Sequence, residues 1–462
     1  ANAAVAAQAL AAQIAVRFGF TDVARAHLAA VASARARAAV DVRARLWLAT
    51  AEMRRAEGDR RGAAAAALAG LTVVDQHQAT LGATETRVHA AGHARELGAL
   101  GMELAWESGR ARRLLWWMER TRAGALRFAP ITPPDDQQLA AELGELRELE
   151  RDLRTTALQS GQTAATERRR ESLERSIRRR TRRLLGSEAT ALGVDLEGIV
   201  ASLGERTLIE YGAVGDRVVA VTVRRGRARR HELGSIAETV AAIDELRFGL
   251  RRLARPGGSP QSRAAAEALV AAGAERLDAL LLAPLATGSD ELVIVPPARL
   301  HAVPWGLLPS CIGRPLSVSP SASLWQRRLQ PAPPDGPAVL VGGPRLPEAD
   351  HEIGAIATIR PEAHRFNPAS GSVAVVRDHL AGASVAHLAC HGRFRTDNPL
   401  FSALELGDGW FTVYEFERLD AAPSLVVLSA CDAGLSVERP GNEVMGIVAG
   451  LLGAGTSTVS YT

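Results

Sequence analysis

Lysine is absent from this chain of 462 residues, and arginine supplies all 55 of its basic side chains. With 51 acidic residues the formal net charge is only +4. The pI near 9.4 overstates this small excess, because arginine does not deprotonate in the working range. Proteins that bind polyanions in general show a larger imbalance. The composition therefore argues against that class, and the alanine- and arginine-rich bias indicates a GC-rich coding sequence.

Cysteine is scarce, with three residues at Cys311, Cys390 and Cys431. A small, odd number argues against a disulfide framework and predicts a reducing, cytoplasmic compartment. No run of 18 apolar residues occurs, so no membrane span is predicted. The first fifteen residues also lack the basic start and cleavage site of a signal peptide. Because the chain opens on Ala1 and stops at Thr462 within a strand-like segment, we expect it to be a piece of a longer protein.

Aromatic residues are also few, at 4% of the chain, so the predicted core consists mainly of alanine, leucine and valine. Apolar residues make up 47% and charged residues 23%, which excludes wholesale disorder. At about 150 residues per domain, the length predicts two to three domains.

Proline is missing before Pro130, and the residues that precede it are almost all helix formers. Breaks at Gly19, Gly58 and Gly109 are each followed by an alanine-rich amphipathic stretch. This recurrence resembles degenerate tetratricopeptide repeats, although its spacing departs from their period of about 34 residues. We predict tetratricopeptide-like repeats over residues 1–128, with an irregular helical bundle as the alternative.

Residues 129–200 are predicted to form a helical hairpin that connects the two halves. Leucines recur at helical spacing from Leu139 to Leu153, and a break near Gly161 precedes a second helix. The second arm carries eight arginines: Arg168, Arg169, Arg170, Arg178, Arg179, Arg180, Arg182 and Arg183. Nucleic-acid binding is one interpretation of this run. Interleaved glutamates favour a solvated helix face instead, so we do not expect nucleic acid as a partner.

Residues 201–462 show a different periodicity. Short apolar, β-branched runs end at glycine, proline or polar clusters, at 291–295, 338–341, 384–389 and 424–428. Such runs are typical of buried strands in a parallel sheet. Helical stretches at about 350–359, 371–381 and 441–453 supply the crossovers. The predicted fold is an α-helical N-terminal part followed by an α/β domain with a mainly parallel sheet.

Two of these strands lead into reactive side chains. The strand at 384–389 runs into His391-Gly392, and the strand at 424–429 runs into Cys431-Asp432. Active sites of open α/β sheets lie beyond the carboxyl ends of the strands, so His391 and Cys431 are expected to meet there. A thiol of pKa about 8.5 is mostly protonated at neutral pH, and a nearby imidazole activates it and later protonates the leaving amine. The amides of Gly392 and Cys431 are candidate donors to the oxyanion.

The order of three motifs makes a family resemblance specific. They are His387-Leu-Ala-Cys-His391-Gly392, Asn398-Pro399-Leu-Phe-Ser402 and Leu428-Ser429-Ala430-Cys431-Asp432. Together they resemble the CHAT domain family of caspase- and separase-like proteins, which commonly follow tetratricopeptide repeats. The resemblance covers about 200–462.

The resemblance implies a caspase-like cysteine endopeptidase that needs no cofactor or metal. His391 would be the general base and acid, Cys431 the nucleophile and Gly392 an oxyanion contributor. Asp432 matches the acidic position that comes after the nucleophile and is the candidate substrate-binding residue. The family normally continues beyond the strand at 458–461, so we expect the domain over 201–462 to be truncated and its cleft incomplete.

Other candidate residues have structural interpretations. Cys390 precedes His391 on a strand and so points to the opposite face, towards the core. Cys311 has no titratable neighbour in sequence and is also expected to be structural. A zinc site from His387, His391 and the nearby cysteines is disfavoured, because four residues of strand span roughly 13 Å. His301, in a turn after a strand, is a second candidate for the cleft.

The sequence therefore predicts a cytoplasmic cysteine endopeptidase of bacterial type that acts on a protein substrate. We expect its helical repeats to bind a protein regulator, and no membrane association. Two alternatives stay open: a catalytically silent scaffold or signalling module of the same fold, and an arginine-rich regulator associated with nucleic acid.

Overall fold

The computed structural model describes residues 2–128, 136–156, 163–183, 193–255, 257–329, 336–430, 437–439 and 443–461. A helical N-terminal part precedes an α/β part, as predicted. None of the helices within these ranges is long and apolar enough to cross a membrane.

The N-terminal helices, α1–α7, pack as successive neighbours. Their bounds are α1 Asn2–Arg17, α2 Thr21–Ala30, α3 Val40–Ala56, α4 Arg60–Ala79, α5 Thr84–Ala91, α6 Arg95–Glu107 and α7 Ala111–Arg120. Gly19, Gly58 and Gly109 adopt φ values of 81°, 83° and 70° between contacting helices. A left-handed backbone favours glycine, and so these three residues end helices where the sequence predicted breaks. Small alanine side chains let the helices approach closely, and many of them are buried.

The helical hairpin consists of α8 Gln137–Thr156 and α9 Thr163–Thr181, and α10 Leu196–Leu203 comes next. Leu139, Leu143 and Leu146 of α8 are buried together with Leu173 and Ile177 of α9. All five belong to the hydrophobic core that surrounds the C-terminal sheet. The apolar face of the hairpin is thus part of the α/β core.

The first sheet is mixed. Its elements are β1 Thr207–Val214, β2 Arg217–Arg224, β3 Arg227–Ser235, α11 Ile236–Leu253, α12 Pro260–Leu281, β4 Leu292–Val295, β5 Leu316–Val318 and α13 Ala322–Arg328. The strand order is β3-β2-β1-β4-β5. Strands β1, β2 and β3 are antiparallel neighbours, while β1, β4 and β5 run parallel.

The second, C-terminal sheet is parallel throughout. In chain order the elements are β6 Ala338–Gly342, α14 Pro347–Ile359, β7 His364–Phe366, α15 Val373–Leu380, β8 Val385–Ala389, β9 Gly392–Arg393, β10 Ala403–Glu405, β11 Trp410–Thr412, α16 Val413–Phe416, β12 Leu425–Ser429, β13 Val437–Arg439, β14 Glu443–Met445, α17 Ile447–Ala454 and β15 Thr458–Tyr461. The strand order is β15-β12-β8-β6-β7. Strands β9, β10 and β11 form a small antiparallel sheet between β8 and β12 in the chain.

The sequence predicted one sheet, whereas the structure contains two five-stranded sheets. The run at 291–295 lies in the first sheet and the other three runs in the second. Short buried β-branched strands look alike in sequence, and their composition does not specify which neighbours they pair with. Strand β3 was also missed, because its charged, largely exposed sequence lacks the usual strand pattern.

Candidate active site

The ends of β8 and β12 lie side by side. The two strands pair in parallel register from Val385 opposite Leu425 to Ala389 opposite Ser429. One step further, the amide of Cys390 donates to the carbonyl oxygen of Ser429 at 3.2 Å. His391 comes after β8 at this edge of the sheet. Cys431 and Asp432 come after Ala430 in the chain and lie outside the described residues.

The backbone after β8 is held by β10. The carbonyl oxygen of half-buried His391 accepts a hydrogen bond from the amide of Glu405 at 2.8 Å. Gly392 then lies opposite Leu404 in the antiparallel pairing of β9 with β10. Hydrogen-bonded and non-hydrogen-bonded pairs alternate in such a ladder, so the amide of Gly392 points away from β10.

Cys390 faces the core, as predicted. Its side chain is 1% exposed and belongs to the core of the second sheet. Burial, with a smaller contribution from Glu405, raises the pKa of the Cys390 thiol to about 12. Cys311 is 2% exposed, and burial raises the pKa of its thiol to about 11. Both side chains are thus buried in the core, as the sequence predicted, and their raised pKa values disfavour the reactive thiolate.

A glycine keeps the neighbouring strand end close to this edge. The amide of Gly343, just after β6, donates to the carbonyl oxygen of Ala389 at 2.8 Å. A Cβ atom at Gly343 would lie 2.9 Å from both the Cα of Cys390 and the carbonyl oxygen of Glu405. Backbone atoms cannot yield as a flexible side chain does, so this position requires glycine.

Arg345 carries a positive charge at the same edge. Its guanidinium donates to the carboxylate of Glu405, whose side chain is almost fully buried while that of Arg345 is largely exposed. Arg345 also adopts a left-handed backbone with φ of 58°, which is uncommon for a residue with a Cβ atom. The pair thus anchors the turn after β6 to β10, next to His391.

A polar cluster that the sequence motifs did not reveal lies on the α14 side of the sheet. Glu352 Oε1 is 2.7 Å from Nε2 of His387 on β8, and accepts a hydrogen bond from Oγ of Ser429 on β12 at 2.6 Å. His387 is buried and Glu352 is partly exposed. His387 and Ser429 both stand in the sequence motifs quoted above, but those motifs do not show that the two side chains meet Glu352.

His301 lies in the 3-10 helix Ala298–Ala302, which comes after β4 of the first sheet. That helix contacts β13, in the part of the chain after Cys431. Burial, with a smaller contribution from Arg122, lowers the pKa of His301 to about 3. Its imidazole is consequently neutral in the physiological range, and its position near β13 keeps it a candidate for the cleft.

No group of three histidine, cysteine or acidic side chains within the described ranges is arranged to hold a metal ion. His387, one member of the disfavoured zinc set, is engaged by Glu352 instead.

The arginines of α9, and Arg182 just after it, lie among carboxylates. Ion pairs join Arg169 to Glu145, Arg170 to Glu167, Arg175 to Glu171, Arg178 and Arg182 to Glu85, and Arg180 to Asp136. Much of the positive charge on this helix is thus balanced within the protein, which weakens the case for nucleic-acid binding.

The N-terminal helices contact the α/β part at several points. Thr84 of α5 donates to the carboxylate of Glu417 after α16 at 2.7 Å. A cavity of about 1040 Å³ lies nearby, between α3–α5, α9 and the loop at 397–399. His77, His89 and His93 line it from the helical side, and Met445 lines it from β14.

Comparison with known proteins finds a family match for part of the chain. Residues 264–462 match the model of the CHAT domain. No curated protein matches the chain. Two crystal structures of the Saccharomyces cerevisiae separase–securin complex, at 2.6 and 3.0 Å resolution, are similar at 8% and 9% sequence identity with TM-scores of 0.41 and 0.42. In both cases 94% of this chain is covered, and it spans 42% of the length of the separase chain.

Proposed function

From the CHAT domain at residues 264–462, we propose that this protein is a cytoplasmic cysteine endopeptidase with Cys431 as nucleophile and His391 as general base and acid. The observation that carries the proposal is the parallel register of β8 and β12. Each of the two residues stands two positions beyond a pair of directly opposed residues, Ala389 and Ser429. Adjacent parallel strands bring the residues just beyond their carboxyl ends to one edge of the sheet.

In the proposed reaction, His391 takes the proton of the Cys431 thiol. The thiolate attacks the carbonyl carbon of the scissile peptide bond, and a carbon–sulfur bond forms. The imidazolium then gives its proton to the leaving amine as the carbon–nitrogen bond breaks. Water, deprotonated by His391, attacks the thioester, which releases the carboxylic acid and restores the thiol.

The tetrahedral intermediate needs donors for its oxyanion. The outward direction of the Gly392 amide supports its role as one of them, with the amide of Cys431 as the second. We assign Asp432 to substrate binding on its position directly after the nucleophile. The substrate is a protein, and Asp432 contributes to the choice of the cleavage site.

We further propose that α1–α7 are tetratricopeptide-like repeats that bind a protein regulator. A contact route from these helices to the segment after Cys431 supports regulation. Glu119 of α7 accepts hydrogen bonds from the amides of Ala322 and Ser323 at the start of α13. At the other end of α13, Arg328 donates to the carbonyl oxygens of Leu452 and Gly455 at the end of α17. A partner that moves α7 would therefore act on α17 through α13.

The alternative of a catalytically silent scaffold makes a different prediction about thiol reactivity. An activated Cys431 reacts with iodoacetamide at pH 6, where an ordinary thiol is almost entirely protonated. We expect fast alkylation of Cys431 in the wild type, and a rate at least about tenfold lower in His391→Ala. His351→Ala, which removes an exposed histidine of α14, is the matched control and should react like the wild type.

Equal rates in the wild type and His391→Ala would leave the scaffold as the better description. Proteolysis is then tested with a peptide library, with Cys431→Ala as the control for contaminating proteases. Cleavage by both proteins alike would be assigned to a contaminant.

A further inference from the structure

Two neighbouring strands of the second sheet share one carboxylate oxygen. Oε1 of Glu352 is within 2.7 Å of Nε2 of His387 on β8, and within 2.6 Å of Oγ of Ser429 on β12. An ionised carboxylate only accepts hydrogen bonds, so both partners must donate to it. His387 is therefore protonated at Nε2, and the hydroxyl hydrogen of Ser429 points at Glu352.

These contacts involve residues close in the chain to both proposed catalytic residues. Ser429 is the last residue of β12 and stands two positions before Cys431. His387 is on β8, opposite Val427 of β12, four positions before His391. Backbone hydrogen bonds already join β8 and β12. Glu352 of α14 adds a side-chain link between these two strands, which lead to His391 and Cys431.

Packing alone does not require this cluster. Elsewhere the same face of the sheet is covered by α14 through apolar contacts, with Leu340, Ala349, Ile353 and Ala389 buried together. Placing a carboxylate, an imidazole and a hydroxyl beside such a core costs free energy unless each is hydrogen-bonded. The structure shows those bonds concentrated on Oε1 of Glu352, which contacts both strands.

We propose that Glu352 is a positioning residue that fixes the ends of β8 and β12 relative to each other and so sets the separation of Cys431 from His391. This inference rests on the proposed function. Glu352 does not enter the reaction. It acts through Ser429, whose side chain it holds, and through His387. A displacement of about 1 Å between reacting groups is enough to lower a rate about a hundredfold.

The test uses variants of the donor and the acceptor in the full chain. Ser429→Ala removes one donor while leaving the carboxylate, Ser429→Thr restores a hydroxyl, and Glu352→Gln keeps the size but removes the charge. Glu348→Gln is the matched control, because Glu348 lies on the same helix and its side chain is 94% exposed. For each protein the alkylation rate of Cys431 is measured from pH 5 to pH 10, together with the thermal melting temperature.

We expect Ser429→Ala and Glu352→Gln to lower the rate at pH 6 by about tenfold or more, and to leave the rate near pH 9.5 within about twofold, because only the pairing with His391 is weakened. Ser429→Thr should recover most of the rate at pH 6, and Glu348→Gln should match the wild type. A merely structural role would lower the melting temperature without moving the pH profile, and that result would overturn the proposal. If Glu352→Gln does not fold, the two Ser429 variants decide.

The same experiment also shows whether the proposed Cys431–His391 dyad itself is wrong. A wild type whose Cys431 shows the pH profile of an ordinary thiol removes both the proposed dyad and the positioning role. A wild type that reacts fast at pH 6, with variants that do the same, removes only the positioning role.

Discussion

The amide of Cys390 donates to the carbonyl oxygen of Ser429, and this bond joins β8 to β12 at the last step before the proposed catalytic residues. The side chain of Cys390 takes no part in the site, because it points to the core while the backbone aligns the strand ends. A cysteine next to the base is thus a packing residue. The buried thiols of Cys311 and Cys390 are expected to differ from that of Cys431 in their reactivity, which depends on the thiol pKa.

We expect Cys311 and Cys390 to resist alkylation in the folded protein at pH 8. With a pKa of about 12, the thiolate fraction of Cys390 at that pH is roughly one in ten thousand. Mass spectrometry after brief treatment with iodoacetamide should find neither residue modified, and both modified in urea. Rapid labelling of Cys390 without denaturant would contradict its placement in the core.

The same two thiols give folding a pH dependence. Burial raises the pKa of both thiols in the folded state. Their contribution to the free energy of unfolding is therefore complete at pH values below the ordinary thiol pKa of about 8.5. That contribution is lost as the pH rises from there towards 12. Urea denaturation from pH 7 to pH 10.5 should show the loss, and a Cys311→Ala/Cys390→Ala variant should show less of it.

We expect Gly343→Ala to destabilise the protein by about 1–3 kcal/mol, because its Cβ atom would meet two backbone groups at 2.9 Å. The displaced strand end should also slow the alkylation of Cys431 at pH 6. Gly306→Ala is the control, since a Cβ atom there meets nothing within 4 Å. Urea denaturation of the two variants compares them directly, and equal stability would argue against the close approach of β6 to Cys390.

A buried ion pair joins Arg122 to Glu210 of β1 and is expected to stabilise the folded protein. Arg122 and Glu210 are both nearly inaccessible, with Nε and Oε1 3.4 Å apart, and Arg122 also donates to the carbonyl oxygens of Val295 and Tyr211. Arg122→Met would leave the buried carboxylate of Glu210 without this cation. We expect a loss of about 3–5 kcal/mol in the free energy of unfolding, measured in urea at pH 8.

Glu210→Gln should be far milder than Arg122→Met. Burial, and next the charge of Glu119, raise the pKa of Glu210 well above its usual value. A raised carboxyl pKa favours folding below the unfolded pKa of about 4.3, and this contribution is lost as the pH rises through the folded pKa. The stability of the wild type relative to Glu210→Gln should therefore fall between pH 5 and pH 8. If the wild type instead became more stable relative to Glu210→Gln as the pH rises, a raised pKa of Glu210 would be contradicted.

The two strands that lead to the candidate site could be predicted because they depend on local order along the chain. Apolar runs before His391 and Cys431 specify both strands, and their parallel pairing is observed. The meeting of the two reactive residues stays a prediction. The contacts of Glu352 could not be predicted in this way. Its partners are 35 and 77 residues away, and they meet only because α14 crosses the face of two strands that are neighbours in space.

In the fold, too, local features could be predicted from the sequence and long-range pairings could not. Helix breaks at Gly19, Gly58 and Gly109 arise from the chain's own conformational preferences. The separation into two sheets does not, because β4 and β6 have the same kind of sequence and differ only in the strands they pair with. Partner choice is a property of the whole packed structure, which short patterns do not contain.

The route from α7 through α13 to α17 can be tested at Glu119. This carboxylate is buried and accepts hydrogen bonds from two amides at the start of α13, at 2.7 and 2.8 Å, and from the hydroxyl of Ser323. Glu119→Gln keeps the shape but removes the negative charge that favours a helix N-terminus. We expect a loss of about 1–3 kcal/mol in the free energy of unfolding, typical of hydrogen bonds to a charged group.

If α7 regulates the site through α13 and α17, the same variant should also change the reactivity of Cys431 at pH 6, under conditions where it is fully folded. Glu348→Gln, which alters an exposed carboxylate of α14, serves as the control and should change neither quantity. A Glu119→Gln protein that loses stability but keeps the wild-type alkylation profile would restrict Glu119 to holding α13 in place. Regulation would then have to reach the site by another contact between the two parts, such as the one in which Thr84 donates to Glu417.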